Sequence, residues 1–280
     1  MRVTYPLVKI LLLGGGALFL SIGWFWRGEM REVWYGAHRP SLPVAQPFVV
    51  TSTLSPTLSA TSTKTTSTYR ANSKLPKKAA TSTQQIEKPL PETVNLAVPF
   101  LSQAPTKNWD MPYQEACEEA SLIMVDAYLR GRTKAYGPEE GDTALLQLVE
   151  REEAMGKTPD LSAEEVVEVT QHAFPHRRVE IIRQPTVDRI RRSLAEGYPV
   201  IIPVSGKALG NPHFRHGGPL YHMLVIKGYL KDGRWITNDP GTQWGADYMY
   251  SQNVVFKALH DWNEGDVAHG TPVMMVMHPI

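Results

Sequence analysis

Three kinds of hydrophobic pattern follow one another along the chain, and each predicts a different environment. Ile10 to Trp26 is an uninterrupted apolar run. At about 1.5 Å per helical residue it is just long enough to cross the hydrocarbon core of a bilayer. Trp24 and Trp26 close it, where indoles favour the membrane–water interface, and Lys9 can reach back to headgroups. A cleaved signal peptide is the competing expectation, but the weak small-residue site Ser21-Ile22-Gly23 runs directly into bulky Trp24. The run therefore predicts a retained single span within residues 1–36, with the N-terminus inside. Over residues 37–93 the apolar pattern disappears. Between Thr51 and Thr83, 17 of 33 positions are Ser or Thr, and Pro56, Pro76, Pro89 and Pro91 interrupt the rest. Such a segment buries too little apolar area to offset its ordering entropy, so a flexible linker is expected.

Residues 94–280 carry the periodicities of a folded domain. Val94 to Phe100 reads as an extended entry segment. Cys117 to Leu129 reads as a helix, with Ala120, Ile123, Met124, Ala127 and Tyr128 at helical spacing and Gly131 after them. A second helix is expected over Thr143 to Met155. The Ser162-x-x-Glu165 capping box announces a third, and Thr186 caps a fourth that Gly197 closes. The period then changes. Val200–Val204 and Tyr221–Tyr229 read as strands, and Lys231-Asp232-Gly233 turns the chain into a returning strand, Arg234–Asn238. A last helix over Asn253–Trp262 and a closing strand over Pro272–Met277 complete the set. Helices followed by an antiparallel sheet predict an α+β fold.

The charge divides the same way. The whole chain has a net charge of +1, but residues 1–96 sum to +7 and residues 97–280 to −6. An acidic domain argues against nucleic acid as its ligand. The single cysteine rules out an internal disulfide framework and a Cys-rich zinc site.

Cys117 stands at the expected start of a helix, where unpaired N–H groups and the positive end of the macrodipole favour a thiolate. A lone free cysteine is more often a small buried hydrophobe. Glu118 and Glu119 read as ordinary first-turn acids. His222 opens an apolar strand, and Asp239 ends the returning strand of the same hairpin, so the two are expected to meet side by side. That is the relation of a base to its orienting carboxylate. Gln103 or Gln114 can supply an amide donor to an oxyanion. His213 and His216 lie in a Gly/Pro-rich loop with no spaced acid or Cys partner, which argues against a metal site. Trp109 and Trp244 can line a substrate cleft or pack in the core or as a lid.

Four blocks taken together resemble a known family. They are Val98-Pro99-Phe100-Leu101-Ser102-Gln103, then Ala116 to Met124, then Tyr221 to Tyr229, then Asn238-Asp239-Pro240. In this order they look like the bacteriocin-processing (double-glycine-leader) type of cysteine peptidase and its stand-alone relatives. The resemblance implies a papain-like fold over residues 94–280. It also implies Cys117 as nucleophile, His222 as base, Asp239 as orienter and Gln103 as oxyanion donor. No metal or organic cofactor is then needed, and the partner is a peptide or protein substrate. One departure stands out: that family commonly has Gly after the nucleophile, where this chain has Glu118. Two other readings follow from the same residues. One is an inactive, surface-displayed binding module; the other is a peptidoglycan amide hydrolase or transpeptidase using the same triad.

Overall fold

The computed structural model describes residues 40–49 and 89–280. The expected membrane span and most of the expected linker lie outside the described residues. Among the described residues, no helix is long and apolar enough to cross a membrane. The chain divides into two units, Met1–Pro43 and Val44–Ile280, and the fold below is that of the second.

Its central element is α1, Cys117–Leu129, in which all thirteen residues are buried. A helix covered on every side is a core helix rather than a surface one, which is why its apolar residues extend beyond a single stripe. Three acids, Glu118, Glu119 and Asp126, are buried with it. Asp126 is matched by Arg177, whose Nε donates to Asp126 Oδ1 at 2.9 Å. The helix α2, Pro138–Ala154, begins five positions before the expected Thr143. Pro at the first helical position is preorganised for a helix, and the Glu140 carboxylate accepts from the Gly137 N–H at 3.5 Å. The capping box appears as read at α3, Ala163–Ala173: the Ser162 hydroxyl accepts from the Glu165 N–H, and Glu165 accepts from the Ser162 N–H at 3.0 Å. Thr186 caps α4, Val187–Ala195, through its hydroxyl alone, which accepts from the Arg189 N–H at 3.2 Å. A short α5, Gly206–Leu209, and α6, Gln252–Ala258, complete the helices. The last of these stops well before the expected Trp262.

The strands are β1 (Val94–Asn95), β2 (Arg177–Arg183), β3 (Val200–Val204), β4 (His222–Tyr229), β5 (Arg234–Asn238), β6 (Tyr248–Ser251) and β7 (Val273–Pro279). They form one antiparallel sheet in the order β2-β7-β3-β4-β5-β6, with β1 paired to the far end of β4. The α+β expectation with an antiparallel sheet is therefore what the structure shows. β2 and β6 are additional to the sequence reading. Both are edge strands, partly exposed and rich in Arg or Tyr, and so lack the clean alternation of a half-buried strand. The centre of the sheet is easier to read, because every residue of β3 and β4 is buried.

Part of the expected linker belongs to this domain. The Gln46 N–H donates to the Asn95 carbonyl at 2.8 Å, and the Ala97 N–H donates to the Gln46 carbonyl at 2.7 Å. Phe48 meets Tyr128 edge-on, with ring centroids 5.6 Å apart. Residues 44–48 thus add a single bridge beside β1. Their few apolar side chains find a surface that the surrounding Ser/Thr composition conceals.

Candidate active site

The turn that presents Cys117 is held from a distance in sequence. A 3-10 turn, Tyr113–Glu115, leads into α1. Gln103 Nε2 donates to the carbonyls of Tyr113 and Gln114, at 3.0 and 2.9 Å. The Gln103 N–H donates to the Pro240 carbonyl at 3.0 Å. One residue therefore ties the approach to Cys117 to the turn that follows Asp239. Its amide hydrogens are committed to backbone, so donation to an oxyanion requires one of those bonds to yield. Gln114, its rival from sequence, is exposed and bonds only weakly through Nε2 to the Met111 sulfur.

His222 is the first residue of β4, opposite Val204 of β3. Asp239 follows directly on β5. His222 Nε2 and Asp239 Oδ1 are 2.8 Å apart, and both side chains are fully enclosed. The carboxylate is satisfied on every side. Oδ1 also accepts from the Gly241 N–H at 3.0 Å, while Oδ2 accepts from the Tyr250 hydroxyl at 2.5 Å and from Asn211 Nδ2 at 3.2 Å. Burial alone would raise the pKa of Asp239. The neighbouring His222 and these donors outweigh it and hold the group below the usual carboxylate range. Phe214 packs its ring against the imidazole, with centroids 5.3 Å apart.

Asn211, Phe214 and Tyr250 were not singled out from the sequence. Asn211 reads there as a loop residue before Pro212. Tyr250 becomes visible only with β6, whose pattern is weak.

Cys117, His222 and Gln103 line one cleft of about 490 Å³, walled by Trp109 and by Trp244. Trp244 is 55% exposed although it is a large aromatic side chain. His213 and His216 also face the cleft, and His213 lies beside the Trp244 ring, centroids 6.2 Å apart. Among the described residues, no group of three His, Cys, Asp or Glu side chains is arranged to hold a metal ion.

The sulfur itself has two partners. The Met223 backbone makes a hydrogen bond that lowers the thiol pKa. Cys117 Sγ donates to Glu118 Oε2 at 2.9 Å. Burial, then the charge and hydrogen bond of Glu118, push the thiol well above its ordinary value. Here the sequence reading needs correction. Glu118 and Glu119 are not solvated first-turn acids but lie 1% and 4% exposed. α1 is enclosed from its first turn onward, so its acids turn inward with it. Burial and the proximity of Glu119 push Glu118 well up. Glu119 is raised to about 7 by burial. Glu152 of α2, hydrogen-bonded to Glu119, is raised to about 11 by burial and by that neighbour.

The profile of the Peptidase_C39 like family matches residues 95–266. No curated protein matches the chain. Among solved structures, a C39-like peptidase from Bacillus anthracis is 15% identical, with 67% of this chain and 98% of that one covered and a TM-score of 0.45. Digestive procathepsin L 3 from the larval midgut of Tenebrio molitor is 12% identical, with 68% and 70% covered and a TM-score of 0.40.

Proposed function

The chain belongs to the Peptidase_C39 like family, and on that premise we propose that it is a papain-like cysteine peptidase acting through Cys117, His222 and Asp239. The observation that carries this reading is the convergence of three groups. Cys117 and His222 open onto one cleft, and Asp239 stands 2.8 Å behind the imidazole.

The roles follow from the atoms. With Nε2–H donated to Asp239, the neutral imidazole keeps its lone pair on Nδ1. That nitrogen takes the thiol proton as the sulfur attacks the substrate carbonyl carbon. The same proton is then delivered to the leaving amine, and water hydrolyses the thioester. Asp239 fixes the tautomer and stabilises the imidazolium. Its enclosure by Tyr250 and Asn211 keeps it from turning away. The oxyanion faces the start of α1, whose first N–H groups have no intrahelical acceptor. Gln103 is the second donor, releasing one carbonyl of the preceding turn as the tetrahedral intermediate forms. Peptide bonds are the substrate, with the flanking residues lying along the Trp109 and Trp244 walls. In this proposal the N-terminal apolar run is a retained span, and the domain is held outside the cytoplasmic membrane.

The test is Cys117→Ala, assayed with a quenched-fluorescence peptide library, casein and a purified cell-wall digest. Turnover is expected to vanish with an unchanged melting temperature. Activity equal to wild type removes the nucleophile assignment. Cleavage of the wall digest alone moves the substrate class to peptidoglycan cross-links. A wild-type protein that binds peptides without cleaving any of them makes this a binding module. Full-length chain that remains with membranes through an alkaline carbonate wash supports the retained span.

A further inference from the structure

Arg215 is exposed and lines the cleft that Cys117 and His222 share. Its segment is anchored on both sides. Before it, the Phe214 N–H donates to the Asn211 carbonyl at 3.1 Å, and the buried Phe214 ring packs on His222. After it, the Gly218 N–H donates to the Arg215 carbonyl at 3.0 Å, and His216, Gly217 and Gly218 all have positive φ. A Cβ at Gly218 would lie 2.7 Å from the Gly206 carbonyl oxygen, so the return towards β4 runs tightly against α5. The backbone of Arg215 is thus held in place. Its guanidinium carbon stands 5.8 Å from the centroid of the Trp109 ring. Such a stack engages the face of the guanidinium and leaves its N–H edge free. Arg132, Arg177 and Arg234 end on carboxylates, but Arg215 has no carboxylate partner among the described residues. Glu115 is the only acid among the described residues that line the cleft, and it forms no ion pair with Arg215. Burial, then the charge of Asp160, raise the pKa of Glu115, which weakens it as a competitor for that cation.

We propose that Arg215 determines specificity by binding a carboxylate of the substrate on the leaving side of the scissile bond. The direction rests on the peptidase reading. The oxyanion faces the start of α1, while His222 must reach the leaving nitrogen to return its proton. The residues after the scissile bond therefore run past His222 and the loop that leads into it, where Arg215 stands. A guanidinium is permanently charged, and its planar fork matches the two oxygens of a carboxylate. Residues 97–280 sum to −6, so the domain as a whole repels an acidic ligand and the attraction is confined to this wall. An Asp or Glu side chain and a free C-terminus present the same pair of oxygens. The anchored loop lowers the ordering cost of the contact, because only the side chain of Arg215 has to settle.

The test compares the full-length wild type with Arg215→Gln on matched peptide pools. The pools carry Glu or Gln at each randomised position, and each is made with a free and with an amidated C-terminus. Initial rates at low substrate report kcat/KM, and sequencing of the products places the cut. Wild type is expected to cleave about tenfold faster or more when a carboxylate follows the scissile bond, and Arg215→Gln to lose that ratio. A gain that survives amidation assigns the carboxylate to a side chain; one that amidation abolishes assigns it to the chain end. A wild-type Glu-to-Gln ratio and a free-to-amidated ratio both within about twofold of unity overturn the proposal, whether or not the variant folds. So does an acidic preference confined to residues before the cut, or a ratio that persists in Arg215→Gln while all rates fall together, as a merely structural role requires. Binding of the same pools to Cys117→Ala, read by fluorescence anisotropy, separates this proposal from the peptidase reading. Carboxylate-selective binding with no cleavage by wild type keeps Arg215 as a carboxylate site and removes the peptidase. Cleavage without carboxylate preference does the reverse.

Discussion

Gly241 shows how little room the imidazole has. A methyl group at that position would lie 2.8 Å from His222 Cε1 and 2.9 Å from the Phe214 ring. The added methyl meets two side chains and no backbone, so the strain falls on the orientation of His222 and Phe214 rather than on the fold. Gly241→Ala is expected to keep the melting temperature within a few degrees and to lose about 10²-fold in kcat, the scale of an ångström misplacement. Steady-state kinetics on the substrate found for wild type checks it, and an unchanged kcat shows that the imidazole has slack. Gln103 marks the opposite limit of residue-level reading. Its type suggested an oxyanion donor, and it lines the cleft. Only the tertiary structure shows that its hydrogens already hold the Tyr113 and Gln114 carbonyls.

At the level of elements, the site depends on where strand ends fall. β4 begins at His222 and β5 ends at Asn238, so both polar residues occupy one end of the central hairpin. A bulge between Ile226 and Gly228 shifts the register of this pair. Gly228 also lets β1 approach, because a Cβ there would sit 2.2 Å from the Val94 carbonyl oxygen. No side-chain rotation relieves a clash with backbone. Gly228→Ala is therefore expected to detach β1 and the Gln46 bridge, at a cost of about 2 kcal/mol or more. Hydrogen exchange checks this directly. The Leu96 and Ala97 amides, which donate to the Lys227 and Gln46 carbonyls, should lose protection before the amides of β3. Equal protection in both proteins rejects the prediction.

The molecule as a whole stores acids in its interior. Glu118 is pushed well up, Glu119 to about 7, Glu152 to about 11 and Asp261 to about 6, each chiefly by burial. A carboxyl whose pKa is higher in the folded state holds its proton there while the unfolded chain has released it. Its contribution is fully present below the unfolded pKa near 4 and is lost as pH rises through the folded value. Asp239, with a lowered pKa, acts in the opposite sense, and only in the more acidic range. The domain is thus expected to be most stable in mildly acidic solution, with a melting temperature that falls from about pH 5 to pH 8. Scanning calorimetry across that range checks it. Glu152→Gln should flatten the slope, and a melting temperature that rises with pH contradicts the assignment.

What the chain order determined by itself was the set of strongly patterned elements and their sequence. α1, α3, α4, β3, β4, β5 and β7 follow from period, caps and turn residues, because these are local signals that burial reinforces. The helices-then-sheet order made the α+β class legible, and the motif blocks pointed to the family. The edge strands β2 and β6 and the docking of residues 44–48 were decided elsewhere, by neighbours far away in sequence. The same holds for the two sides of the site. The hairpin places His222 near Asp239 through short-range pairing, which a sequence can express. The inward turn of Glu118 depends on Leu161, 43 residues away, and on a helix enclosed from all sides. A side chain's solvent is set by what packs over it, and no local pattern records that.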